Sequence, residues 1–168
     1  DIAFLRQHAE VVELSDETGR ARVAVVPAWQ GRVATSTSSG GAAPGYGWLN
    51  RPVIERGIRP AGERRGTLEE HIHVFGGEER FWLGPEGGQF SVYFAPGAPF
   101  EFEHWRVPAP LDTEPFRVES RARDAVRLSH RFVLTNWSGH VRACRVERSI
   151  HLIDTRAALA VWTPSVPL

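Results

Sequence analysis

The sequence predicts an all-β fold, an antiparallel β-sandwich. Three observations carry that prediction. Short runs rich in β-branched residues are separated by Gly and Asp or Asn turns. Residues 127–135 alternate between polar and apolar side chains. No stretch keeps a helical hydrophobic period for more than about two turns.

Taken in order, residues 1–9 (DIAFLRQHA) allow one or two helical turns. VVELS (11–15), ARVAVVPA (21–28) and RVATSTS (32–38) then read as three strands, joined by the turn DETG and the turn-like WQG. SSGGAAPGYG (38–47) is a loop. Residues 50–68 carry Gly57, Pro60, Gly62 and Gly66 and predict a long ordered loop. β character returns in HIHVF (71–75), FWLG (81–84) and GQFSVYFA (88–95), before a Pro-rich passage over 96–116. The last third predicts strands over 116–122, 125–136, 141–154 and 156–162. In the second of these, Leu128, His130, Phe132 and Leu134 share one face. Arg127, Ser129, Arg131, Val133 and Thr135 share the other, as in a sheet with one wet side. The whole of 1–168 is read as one domain.

The charge balance excludes function classes. Twenty basic residues, all Arg, offset 20 acidic ones, so the net charge is zero. A protein that binds nucleic acid by phosphate neutralisation is normally basic. Apolar runs are only a few residues long, so no membrane-spanning segment is expected. A lone Cys144 excludes an internal disulfide and a multi-cysteine metal cluster within these residues, and is expected to be a small core residue. With no Met, Asp1 is not expected to be the natural start. Asn136-Trp137-Ser138 has the form of a glycosylation acceptor and is read as chance, because the all-Arg bias points to a bacterial source.

Chemistry concentrates in residues 71–94, which hold two His, three Glu, one Arg, one Trp and five Gly. Such a segment is poor core material unless its charges are paired. One reading is a surface hairpin with satisfied charges. A second is a metal site. His71 and His73, two apart, face the same way on a strand. With Glu78 and His104 they offer three imidazoles and a carboxylate to a divalent transition metal. This spacing resembles the first motif of the cupin family, a small β-barrel. A third reading is carbohydrate binding by aromatic faces and planar polar groups. Trp29, Trp48, Trp82 and Trp105 all lie in Gly- or Pro-flanked segments beside Arg and Glu. Asp112 and Glu114 are a candidate carboxylate pair, since alternate residues share a face of an extended strand.

The blocks FLRQHAEVVELSD, VAVVPAWQGRVATSTSSGG, GWLNR, HVFGGEERFWLGPEGGQFSVYF and HWRVPAPLDTEPF resemble, in this order, a bacterial family of the galactose-mutarotase-like (aldose 1-epimerase-like) superfamily. That resemblance implies a β-supersandwich with a sugar-sized cleft, of which this chain would be the N-terminal half. An exposed half would favour homo-oligomers. It also implies isomerase chemistry by acid and base, with no metal or other cofactor. Asn50-Arg51, and His73 followed by Gly76-Gly77, are similar in order to mutarotase elements, although Val74 and Phe75 intervene. On that resemblance His73 is the acid or sugar ligand, and Glu78 or Glu86 is its carboxylate partner. Asn50, Arg51, Arg80, Gln89 and His104 would hold hydroxyls, with Trp82 and Trp105 stacked on the ring. A metal-dependent cupin-like enzyme and a non-catalytic binding or assembly module are the alternatives.

Overall fold

A computed structural model describes residues 1–153 and 158–159 of the chain. The expected strand over 156–162 therefore lies, but for residues 158 and 159, outside the described residues.

Two three-stranded antiparallel sheets form the frame. The first has the order β1 (Val12–Ser15), β2 (Arg22–Val26), β3 (Arg32–Thr37). The second has the order β4 (Arg117–Arg121), β5 (Ala125–Thr135), β6 (Val141–His151). All six strands fall where the β-branched runs place them. The polar turns are held locally: Asp16 accepts from the backbone of Arg20 and Ala21. Asn136 takes the His140 N–H at 2.8 Å.

The first sheet is buried on both faces. On one, Ala24, Val26 and Ala34 pack with Trp29, Phe75, Leu5 of helix α1 (Ile2–His8) and Ile54 of helix α2 (Arg51–Arg56). On the other, Val12, Leu14 and Val25 meet Phe116, Val126 and Leu128 from the second sheet. The sheets are also tied by the Ser15 N–H, which donates to the Arg123 carbonyl at 2.8 Å. Full burial of a side chain such as Leu128 (1% exposed) contributes about 1.5–3 kcal/mol.

Strand β5 is long enough to serve two cores. Beyond Leu128 the same face continues into Phe132 and Leu134, which pack with Tyr93, Phe94 and Leu111. The expected alternation on β5 holds, with Arg127, Arg131, Val133 and Thr135 exposed. Cys144 is half-buried against this third cluster rather than enclosed in it.

Two stretches depart from expectation. Residues 50–68 contain α2, with Pro52 in its first turn, where a missing N–H costs nothing. Residues 71–95 form no strand, only isolated bridges of Val33 to Glu79 and Leu49 to Gly76. Gly76, Gly77 and Gly88 take positive φ and break any ladder, and the rings between them pack on β5 instead. β propensity reports fit to a pleated surface, and these residues find their partners without one.

Candidate functional site

A buried polar centre forms where β3 begins. Arg32 is 2% exposed and donates from Nη1 to the Gly76 carbonyl at 2.6 Å. Val33 exchanges backbone bonds with Glu79, so the antiparallel register sets Arg80 opposite Arg32. A short helix, α3 (Ala109–Asp112), delivers Asp112 to the same place, anchored by fully buried Leu111. The Asp112 carboxylate accepts the His73 backbone N–H at 3.0 and 3.2 Å. It also lies 2.8 Å from the His73 Nδ1, which donates to it. Arg80 Nη2 stands 3.7 Å from Asp112 and donates to the Leu111 carbonyl. Burial and the like charge of Arg80 draw the Arg32 guanidinium down to about 10, against the opposing pull of Asp112 and Glu79. Arg32 Nε and Nη2, Arg80 Nε and His73 Nε2 are buried with no hydrogen-bond partner.

Next to this centre runs a column of rings. Arg80 lies over Trp82 at 4.3 Å. Trp82 stacks on Tyr93 (5.0 Å), Tyr93 on Trp105 (5.8 Å), Trp105 on Phe102 (6.1 Å) and Phe102 on His71 (4.3 Å). Tyr93 is 1% exposed and donates its hydroxyl to the Leu83 carbonyl; burial pushes its phenol up to about 12.

At the outer end of the column opens a cleft of about 380 Å³, lined by Glu86, Phe94, Phe100, Glu101, Phe102 and Trp105. Phe100 and Phe102 are 50% and 58% exposed, yet both are fixed. Phe100 sits edge-on to Phe94 and stacked on Trp137, and Phe102 is held between His71 and Trp105. Glu86 accepts the Trp82 indole N–H at 2.9 Å. The cleft thus offers preformed aromatic faces and two carboxylate acceptors.

The expected site residues are distributed as follows. His73 is enclosed in the polar centre, and its carboxylate partner is Asp112. Glu78 accepts from the Ser36 N–H and hydroxyl on β3. Glu86 and Trp105 line the cleft, with Trp82 behind Glu86. Arg51 pairs with Asp1 at 2.7 Å and covers Phe4, and the Asn50 N–H donates to the Phe75 carbonyl. Gln89 is exposed and offers its carbonyl to Ser138. His104 is exposed at the edge of a second depression with Arg106. Trp48 is 62% exposed, whereas Trp29 is 5% exposed and stacked on Phe75 in the core.

His71, His73, Glu78 and His104 do not converge, and among the described residues no three His, Cys, Asp or Glu side chains could hold a metal. Asp112 and Glu114 do not form a pair. Their segment turns as a helix instead of extending, so Asp112 faces His73 while Glu114 faces His130 at 2.8 Å.

Sequence reasoning missed Arg32, Glu101, Phe100 and Phe102. The alternation Phe100-Glu101-Phe102-Glu103 carried a usable signal, aromatic and carboxylate residues interleaved. Arg32 carried none, since a strand-initial Arg is ordinarily solvated.

One protein family, DUF6786, described as a family of unknown function, matches residues 1–163. No curated protein and no solved structure matches the chain.

Proposed function

The chain belongs to DUF6786, a family of unknown function, and on that premise we propose that it is a mutarotase-like β-sandwich domain that binds carbohydrate. The observation that carries this reading is the cleft of Trp105, Phe94, Phe100 and Phe102 with Glu86 and Glu101. A sugar ring presents C–H groups on its faces and hydroxyls at its rim. Stacked rings receive the first and carboxylates accept from the second. Because neighbouring rings already fix Phe100 and Phe102, little side-chain entropy is lost on binding. The sandwich reading is supported by the core shared between the two sheets.

Binding is favoured over isomerisation. Ring opening needs an acid and a base on opposite sides of one sugar. His73 is wholly enclosed, Glu78 is engaged by Ser36, and of the three proposed catalytic groups only Glu86 reaches the cleft.

The test is a tryptophan-fluorescence titration with a panel of mono- and oligosaccharides. We expect a saturable change with at least one, shifted to about tenfold higher sugar concentration in Phe102→Ala. A flat response across the panel overturns the proposal. Polarimetry on freshly dissolved glucose and galactose runs beside it, and accelerated mutarotation would restore the catalytic reading.

A further inference from the structure

We propose that the buried centre of Arg32, His73, Arg80 and Asp112 binds a small monovalent anion. This does not rest on the carbohydrate reading, and its failure would leave the aromatic cleft untouched.

The first argument is charge. Two guanidinium groups, Arg32 and Arg80, face one carboxylate, Asp112. The nearby carboxylates do not restore the balance inside the enclosure: Glu79 is paired with a third guanidinium, Arg148, and Glu86, which also acts on Arg80, is exposed in the neighbouring cleft. The centre thus carries one surplus positive charge, and an uncompensated buried charge is strongly unfavourable.

The second argument is the set of orphaned donors. Arg32 Nε and Nη2 and Arg80 Nε are buried N–H groups without partners. Buried donors in folded proteins are nearly always satisfied. Water would satisfy the N–H groups but leave the surplus charge. An anion answers both, with charge-assisted bonds of the stronger kind.

The third argument is size. His73 is fully enclosed, and Arg32 and Asp112 are 2% and 4% exposed, walled by Phe75 and Leu111 at 1% and 0%. No sugar or phosphate ester fits such an enclosure. Side chains so enclosed are compatible only with the smallest anions, a halide or a one-carbon carboxylate. Arg80, with 23% of its side chain exposed, is where the centre reaches solvent. The bound ion would hold the two guanidinium groups together across the register of β3 and the following segment.

The probes are sodium chloride and sodium formate, each against sodium gluconate at equal ionic strength, with thermal unfolding as readout. In chloride or formate we expect the melting temperature to rise and saturate. At a hundredfold excess over Kd the folding equilibrium shifts about a hundredfold. The salt that acts identifies the ion as halide or carboxylate. Arg80→Gln is expected to lose the rise, and Arg131→Gln, on the exposed face of β5, to keep it. Should Arg80→Gln fail to fold, the chloride-35 linewidth on the native chain decides. Broadening that formate or excess bromide reverses, and that Arg131→Gln retains, supports the site. Equal melting temperatures in all three salts, with no reversible broadening, overturn it and leave the donors to water.

Discussion

Asp112 holds His73 at two points: its carboxylate accepts the backbone N–H at 3.0 Å and the imidazole Nδ1–H at 2.8 Å. The two residues are 39 apart in sequence, so this grip fastens the irregular segment after residue 71 to helix α3. Removing the carboxylate leaves Arg80 and Arg32 without their shared counter-charge. Asp112→Ala should therefore cost about 3–5 kcal/mol in urea unfolding, the scale of a broken buried pair. Asp112→Asn keeps one acceptor and should cost less. A loss below about 1 kcal/mol for Asp112→Ala would mean that the carboxylate anchors nothing.

Phe102 separates binding from stability. Its ring is more than half exposed, so Phe102→Ala should leave the unfolding free energy within about 1 kcal/mol of the native value. Sugar affinity should nevertheless fall about tenfold, the equivalent of one lost aromatic contact. Calorimetric titration checks the affinity, and equal affinity in the two proteins would remove the ring from the site.

Tyr93 should be visible by ultraviolet titration of tyrosinate. The chain has two tyrosines, and burial raises Tyr93 from the ordinary 10.0 to about 12. A step near 12 is expected in the native protein and should vanish in Tyr93→Phe. Because the folded value is raised, the contribution of this phenol to stability is whole below pH 10 and is lost as pH climbs toward 12. Arg32 acts oppositely. Its folded value is lowered to about 10, so its charge is a burden below that pH and is relieved above it.

Glu69 should govern part of the acid limb. Burial raises its carboxyl, but hydrogen bonds and charge from Arg56 and Arg59 outweigh that and hold it below the ordinary 4.5. A lowered carboxyl contributes fully above its unfolded value and loses that contribution as pH falls through the folded one. Glu69→Gln should be less stable at neutral pH and lose stability less steeply below pH 4.5. Urea midpoints across that range provide the measurement, and parallel curves for the two proteins would contradict it.

Gly76 marks the tightest backbone approach near the site. A Cβ there would stand 2.2 Å from the Trp48 carbonyl oxygen, on a residue already at φ +85. Gly76→Ala must move backbone and should destabilise by about 2 kcal/mol or more. Gly62, with open space around it, should accept Ala within about 0.5 kcal/mol. Thermal unfolding of both variants makes the comparison.

What the sequence made legible was the part governed by period two. Leu128, Phe132 and Leu134 declared the inner face of β5, and the turns on either side declared its ends. Helix α2 was hidden because Gly57, Pro60, Gly62 and Gly66 mark residues 50–68 as loop, and the six helical residues end just before the first of them, with Pro52 tolerated in the first turn. The stretch 71–95 misled because its rings and β-branched residues suit a strand, while Gly76, Gly77 and Gly88 forbid one. At the buried centre, sequence singled out His73 but assigned it a carboxylate close in the chain. Its true partner comes from a helical turn that only tertiary folding brings near. The cleft was half legible, through Glu86 and Trp105. Phe100 and Phe102 were passed over as part of a Pro-rich connection.

Strand β6 is the outer strand of its sheet among the described residues, and it is eleven residues long. Its exposed positions include Arg142, Arg145 and Glu147, flanked by exposed Val133 and Val141. Among the described residues no strand pairs with its outer edge, and an unpaired edge of that length is a template on which another strand can be added. Its charges are mixed: Arg145 pairs with Glu147 on the same strand, and Arg131 of β5 stands opposite Arg145 on the wet face. A strand added there would have to accommodate these solvated charges, which is how charged borders keep sheet edges from pairing with further strands.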